Sequence, residues 1–234
     1  MTLIDGGYKA FRAAMVTDLP QLSERLNFEV VCGTTGSGKT RFLQALAAQG
    51  AQVLDLEALA NHRSSVLGLF PGQAQPTQKA FDTRVWTALQ TFDRARPVYI
   101  ESESKKVGNV VIPESLMAAM RRSPCLHLQL NEEERVKLLL EDYDFFVRDI
   151  EFFCARLDAL TEARGKAVVA DWQARSRAGG VAGVVKDLLL IHYDPVYLQS
   201  MQRNFEHYGT ARPLAPKDHS VAAMQALAST LSGT

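Results

Sequence analysis

Cysteine is scarce: Cys32, Cys125 and Cys154 are the only three among 234 residues, widely spaced and odd in number. That excludes a disulfide scaffold and a cysteine-rich zinc site. No apolar run approaches the ~18–20 residues that a membrane-spanning helix needs. Met1 to Arg12 lacks the apolar centre of a signal peptide, so a cytoplasmic protein with no membrane contact is expected. Neither sign of charge is in excess: 26 Lys and Arg stand against 26 Asp and Glu. Global charge therefore gives no argument for nucleic-acid binding, and only a local patch could supply one. Internal repeats and low-complexity tracts are absent too. What remains is an ordinary globular composition, 47% apolar and 22% charged, long enough for one large or two modest domains.

Residues 1–27 read as a lead-in. Asp5-Gly6-Gly7 signals a turn, and Tyr8 to Met15 a short helix ending before Pro20. Phe28 to Cys32 is a strand-like run that stops at Gly33. A helical pattern follows from Lys39 to Gln49, with Gly50 as its C-cap. A second strand, Gln52 to Leu56, leads into a helical stretch, Glu57 to His62. Residues 63–79, with Gly68, Pro71, Gly72 and Pro76, read as a long functional loop. Phe81, Val85, Trp86, Leu89 and Phe92 have helical spacing. Val98 to Ile100 is a third strand, Pro113 to Arg122 a helix, and Cys125 to Leu130 a fourth strand. Asn131 then caps a helix rich in early glutamates.

Gly33-Thr34-Thr35-Gly36-Ser37-Gly38-Lys39-Thr40 fits G-x-x-x-x-G-K-[ST] at every fixed position. The glycines permit successive N–H groups to point inward as an anion nest, and the helix that follows adds its positive end. Lys39 supplies a cation for phosphate oxygens and Thr40 a hydroxyl for Mg²⁺. A chance glycine-rich turn would lack the strand before it and the helix after it. Glu101 ends the third strand, where P-loop proteins place an acid near the metal, and Glu103 lies two residues on. Either could instead be a surface acid. Asp55 and Glu57 follow the second strand, where small-molecule kinases hold an acid over the acceptor. His62 and Arg63 suit acid–base chemistry or anion binding, or simply finish a helix.

From Asn131 onward the chain is almost wholly helical. Residues 131–151 hold eight acids and three bases, whereas 156–186 hold six bases and three acids. Solvated helix faces explain both. The second stretch, with Arg175, Arg177 and Lys186, is also the best local candidate for a phosphate-backbone surface.

The ordered set of motifs resembles one family, the P-loop domain of bacterial tRNA 2-selenouridine synthase. The resemblance is carried by Gly33–Thr40, by Leu54-Asp55-Leu56-Glu57-Ala58-Leu59-Ala60-Asn61-His62-Arg63 and by Gln75-Pro76-Thr77-Gln78. It continues through Glu101-Ser102-Glu103-Ser104-Lys105-Lys106-Val107-Gly108, Ile112-Pro113 and His192-Tyr193-Asp194-Pro195-Val196-Tyr197. Ser64 stands where the family usually has glycine, and Leu67 and His192 where aromatics are commoner. The family usually carries an N-terminal rhodanese-like domain with a reactive cysteine. Here only its tail is recognisable, Asp5 to Arg12, so that domain is expected in cis or in trans.

The resemblance implies a two-step exchange on the wobble 2-thiouridine of tRNA: geranylation from geranyl diphosphate, then replacement of sulfur by selenium from selenophosphate. It adds Gln75 and Gln78 to Asp55, Glu57, His62 and Arg63 as expected substrate-binding residues. This chain would supply phosphate and tRNA binding, with the selenium step left to the rhodanese-like cysteine. Two other readings stand: a small-molecule or nucleoside kinase using ATP, with Arg121, Arg122 and Arg135 as lid arginines, and a non-catalytic nucleotide- or tRNA-binding subunit. The expected fold is α/β, a P-loop NTPase-like core with a mainly parallel sheet over residues 28–130. A helical region over 131–208 is appended to it, and 209–234 form a tail or an edge strand.

Overall fold

A computed structural model describes residues 6–62 and 74–231. Helix α1 (Gly7–Arg25) runs through Pro20 instead of ending before it. Pro20 gives up one backbone bond, but Met15, Leu19 and Ser23, spaced four apart on one face, are all buried, and that packing carries the helix past the proline. Arg12 pairs with Asp82 at 3.1 Å and Asp18 accepts from the Trp86 indole at 2.9 Å, so residues 7–25 are part of the α/β unit.

Strand β1 (Asn27–Cys32) leads to the glycine-rich loop and helix α2 (Lys39–Ala48). Next come β2 (Gln52–Leu54), α3 (Leu56–Ala60), α4 (Gln78–Gln90) and β3 (Pro97–Glu101). A small antiparallel hairpin of β4 (Lys106–Val107) and β5 (Val110–Val111) precedes α5 (Glu114–Arg122) and β6 (Cys125–Leu128). The helical region comprises α6 (Glu132–Asp142), α7 (Asp144–Arg148), α8 (Ile150–Leu157), α9 (Thr161–Arg164), α10 (Lys166–Arg177) and α11 (Val181–Asp187). A π-helical turn, Leu188–Tyr193, joins α11 to α12 (Asp194–Asn204). Pro195 has no N–H to donate, and the ladder widens just before it. The chain then returns to the sheet as β7 (Arg212–Leu214), followed by α13 (Val221–Ser229), capped by Ser220 accepting from Ala223 N–H at 3.1 Å.

The five-stranded sheet has the order β2-β3-β1-β6-β7 and every pairing in it is parallel. Strand β7 takes the edge, where Pro213 can sit without breaking a ladder on both sides. Helices cover both faces, as parallel strands require. On one face Phe28, Val30, Cys32 and Ile100 pack with residues of α4, α5 and α12. On the other, Val31 and Leu126 pack with Phe42 and Leu46 of α2 and with Met224 and Ala228 of α13. The helical region has its own core around Phe153, Trp172, Val184 and Leu188. No helix among the described residues is long and apolar enough to cross a membrane.

Candidate active site at the phosphate loop

Because β1 is the central strand, its C-terminal end places Gly33–Thr40 in the middle of the sheet edge, between β3 on one side and β6 on the other. A Cβ on Gly33 would lie 2.3 Å from Ser37 Oγ and 2.9 Å from the Leu128 carbonyl, so only glycine fits the loop's first position. Gly38 has φ 87°, and a Cβ there would meet Met224 of α13 at 2.5 Å. Helix α2 starts at Lys39 with no side chain capping it, which leaves its first N–H groups available to an anion.

Lys39 Nζ donates to the Gly33 carbonyl at 2.6 Å and lies 5.4 Å from the centre of the Tyr197 ring. Gly33 N–H in turn donates to Tyr197 Oη at 2.6 Å, and that hydroxyl lies 2.9 Å from Ser102 Oγ. Arg135 of α6 is buried. Its Nε and Nη2 donate to the Thr35 carbonyl at 2.9 and 2.7 Å, and its guanidinium also grips both oxygens of Asp194 at 2.9 and 2.6 Å. A guanidinium held on both sides in this way fixes the loop against α12.

On the sheet side the acids group together. Glu101 is buried, and its Oε1 accepts from Glu57 N–H at 2.8 Å while its Oε2 has no partner among the described residues. Burial, and then the carboxylates of Asp55, Glu103 and Glu57, hold its carboxyl well above the usual range. Asp55 caps α3 by accepting from Ala58 N–H at 2.8 Å, and burial raises its pKa as well. Thr40 Oγ1 faces Glu57 Oε2 at 3.4 Å, so the acid nearest that hydroxyl is Glu57 rather than Glu101. No group of three or more His, Cys, Asp or Glu side chains among the described residues is arranged to hold a metal unaided. The donors that do converge are all oxygens. A hard cation that draws its remaining ligands from phosphate suits them, and the orphaned Glu101 oxygen fits such a group.

A cleft of about 350 Å³ brings together Thr35–Arg41, Glu57, Ser102 and Glu103 from the sheet side with Leu139, Tyr143, His192, Tyr193 and Tyr197 from the helical side. Beside it lies an apolar pocket lined by Phe146, Val185 and Leu188, which shares Thr35, Leu139, Tyr143 and Tyr193 with the cleft.

Other expected site residues fall elsewhere. Gln75 uses its amide on the Ala60 and Val107 carbonyls, both at 3.1 Å, and on Asn109 N–H at 2.8 Å. Gln78 bonds the Val111 carbonyl at 2.7 Å and its N–H at 2.8 Å. Both glutamines therefore hold the β4–β5 hairpin in place and do not line the cleft. His62 is buried, its Nδ1 has no partner among the described residues, and burial lowers its pKa. Arg63 lies outside the described residues. The three basic residues expected to meet tRNA all have carboxylate partners: Arg175 with Asp171 and Asp187, Arg177 with Glu151, and Lys186 with Glu132. They form ion pairs on the helix faces. Of the arginines expected to form a kinase lid, Arg135 is committed to Thr35 and Asp194, and neither Arg121 nor Arg122 lines the cleft. Sequence reading missed Arg135 as a clamp, Tyr197 as a loop contact and the apolar pocket. The first two carried a signal, a buried-type bidentate cation and a late tyrosine motif, but no spacing rule joins them to residue 33.

Residues 26–164 match the family model described as the tRNA 2-selenouridine synthase AAA domain. The chain is similar to the tRNA 2-selenouridine synthase of Marinobacter nauticus, with 38% identity over 60% of this chain and 38% of that one. The Alcanivorax borkumensis synthase is 34% identical over 76% of this chain and 49% of its own length. For the Bdellovibrio bacteriovorus synthase the figures are 28%, 86% and 62%. The chain thus spans less than two thirds of the length of each of these relatives.

Proposed function

The chain belongs to the tRNA 2-selenouridine synthase AAA-domain family, and from that premise we propose that it binds a diphosphate-bearing allylic donor for transfer to the sulfur of 2-thiouridine in tRNA. The observation that carries this reading is the apolar pocket sharing four wall residues with the P-loop cleft. A ligand with an anionic head and an apolar tail fits that pair of spaces, and geranyl diphosphate is such a ligand. The pocket's free volume, about 50 Å³, is smaller than a ten-carbon chain fills, so the tail enters by swinging side chains such as Leu139 and Phe146 aside.

In the reaction, the allylic C–O bond breaks with its electron pair leaving on the diphosphate, the thiouridine sulfur bonds to the freed carbon, and the base's N3 proton is lost to solvent. The loop N–H groups and Lys39 stabilise the charge that develops on the departing diphosphate. Thr40, Glu57 and Glu101 would hold Mg²⁺, which neutralises diphosphate charge when bound. For the selenium step, Cys32, Cys125 and Cys154 are all buried, 0%, 4% and 1% exposed. Burial raises the Cys154 thiol, and the Cys125 contact and then burial raise Cys32; Cys125, lowered by its contact with Cys32, is buried in β6 and does not line the cleft. This reading assigns selenation from selenophosphate to the cysteine of a rhodanese-like domain.

The test is to measure geranyl diphosphate binding and phosphate release from ATP side by side on this chain, and to analyse by mass spectrometry the nucleosides of 2-thiouridine tRNA incubated with it. Geranylated tRNA with no ATP turnover is expected. ATP hydrolysis without geranyl diphosphate binding would replace this reading with the kinase one.

A further inference from the structure

His192 lines the P-loop cleft and has no part in the scheme above. It sits in the π-helical turn, edge-on to Tyr193 with ring centres 4.8 Å apart. Behind it, Arg164 Nε donates to His192 Nδ1 at 3.0 Å, and Arg164 Nη2 reaches the His192 carbonyl at 3.4 Å. A guanidinium has donors only, so Nδ1 is the lone-pair nitrogen and the proton of the neutral ring is on Nε2. Burial, with Arg164 adding to it, holds the imidazole below the ordinary histidine pKa, which keeps the ring neutral at pH 7. Nε2 has no partner among the described residues and is not a buried atom. The next residue, Tyr193, lines both the cleft and the apolar pocket.

An oriented, neutral N–H on a turn that lines the cleft has one clear use. We propose that His192 Nε2–H donates a hydrogen bond to a diphosphate oxygen of the ligand, and that Arg164 is the positioning residue that fixes its tautomer. The inference rests on the cleft being a diphosphate site. The ring gives up no proton; it stays a donor while charge grows on the oxygen, as oxyanion-hole donors do. Lys39 provides a long-range charge, whereas His192 provides a directed donor.

The probe is inorganic pyrophosphate with Mg²⁺, titrated into the whole chain. His192→Phe keeps the ring beside Tyr193 and removes the donor, and its Kd should rise about tenfold. His192→Gln restores a donor and should return to within about threefold of the parent. Ring-nitrogen NMR of histidine-labelled protein, assigned through His192→Gln, should show Nε2 protonated and Nδ1 bare. The Nε2 signal should move when pyrophosphate is added, and Arg164→Met should give a mixture of tautomers. An unchanged Kd in His192→Phe, a parent ring protonated on Nδ1, or an Nε2 signal indifferent to pyrophosphate overturns the proposal. If the parent binds no pyrophosphate, the diphosphate reading falls and this proposal falls with it. If pyrophosphate binds through His192 but geranyl diphosphate binds no more tightly, only the apolar-tail reading is lost.

Discussion

The two flanks of the phosphate loop are built differently. On the sheet flank, residues at or just beyond the strand ends supply charge: Asp55, Glu57, Glu101 and Glu103 gather within reach of one another, and Glu101 is the most deeply buried of them. On the helical flank, α6, the π-helical turn and α12 supply shape and direction. Arg135 clamps Thr35 to Asp194, Tyr197 caps Gly33, and Tyr143 and Tyr193 open onto an apolar space. Ends of parallel strands are rigid and close together, so they can hold like charges side by side, an arrangement that suits a bridging cation. Short helices packed on their own small core can adjust, as the proposed entry of an apolar chain would require.

The largest expected effect belongs to neither flank. Lys39→Ala should weaken pyrophosphate binding about a hundredfold, because the other described cations at the loop are already paired, Arg135 with Asp194 and Arg41 with Glu141 and Asp142. Circular dichroism should be unchanged, since Lys39 touches the loop and Tyr197 rather than the core. An unaltered Kd would remove the loop from the comparison altogether.

The sheet flank is tested by Glu101→Gln. Mg²⁺ should tighten pyrophosphate binding in the parent and lose most of that effect in the variant, while the two should agree in chelator. Stability gives a second reading with a definite sign. Glu101 has a folded pKa raised above its unfolded one, so its contribution is full below about pH 4.5 and is lost as pH rises through the folded value. The glutamine variant lacks that loss. It should melt above the parent at pH 8, by roughly 2–4 °C for each kcal/mol relieved, and match it near pH 4. A parent that gains relative stability on going to alkaline pH would contradict the buried-acid assignment. The smallest effect is expected on the far side of the helical region. Changing Arg175, Arg177 and Lys186 together to Gln should shift the salt slope of tRNA binding by less than the ~0.7–0.9 that one phosphate contact contributes. A fall of about two would show that the ion pairs open to tRNA.

The same contrast explains what could be read in advance. The loop, strands β1, β2, β3 and β6 and the strand-end place of Glu101 were legible because each depends on neighbours in sequence: a fixed spacing, a short apolar run, a position at a strand end. The hairpin at Lys106–Val111 was not, because two-residue strands carry no periodicity and this pair is held by the amides of Gln75 and Gln78, some thirty residues earlier. Helix α13 was announced only by Ser220 as a cap and by the spacing of Met224 and Ala228. The ion pairs of the basic stretch were not legible, because its partners Glu151 and Glu132 precede it on other helices. The apolar pocket is assembled from α6, α7, α8, α11 and the π-helical turn, and no local pattern in any of them describes the space between them.

Met224 against Gly38 has a consequence for how the molecule is made. The glycine-rich loop is synthesised early, yet the side chain that walls it, and strand β7 that completes the sheet beside β6, arrive only after the whole helical region has left the ribosome. Pairings this distant in sequence form late, because the loop they close must first give up its freedom. A nascent chain that has reached α12 can already carry its Arg135–Asp194 clamp, but its sheet still lacks an edge and α2 still shows the apolar face meant for α13. That interval is when an exposed β6 invites mispairing, and when a chaperone would have most to protect.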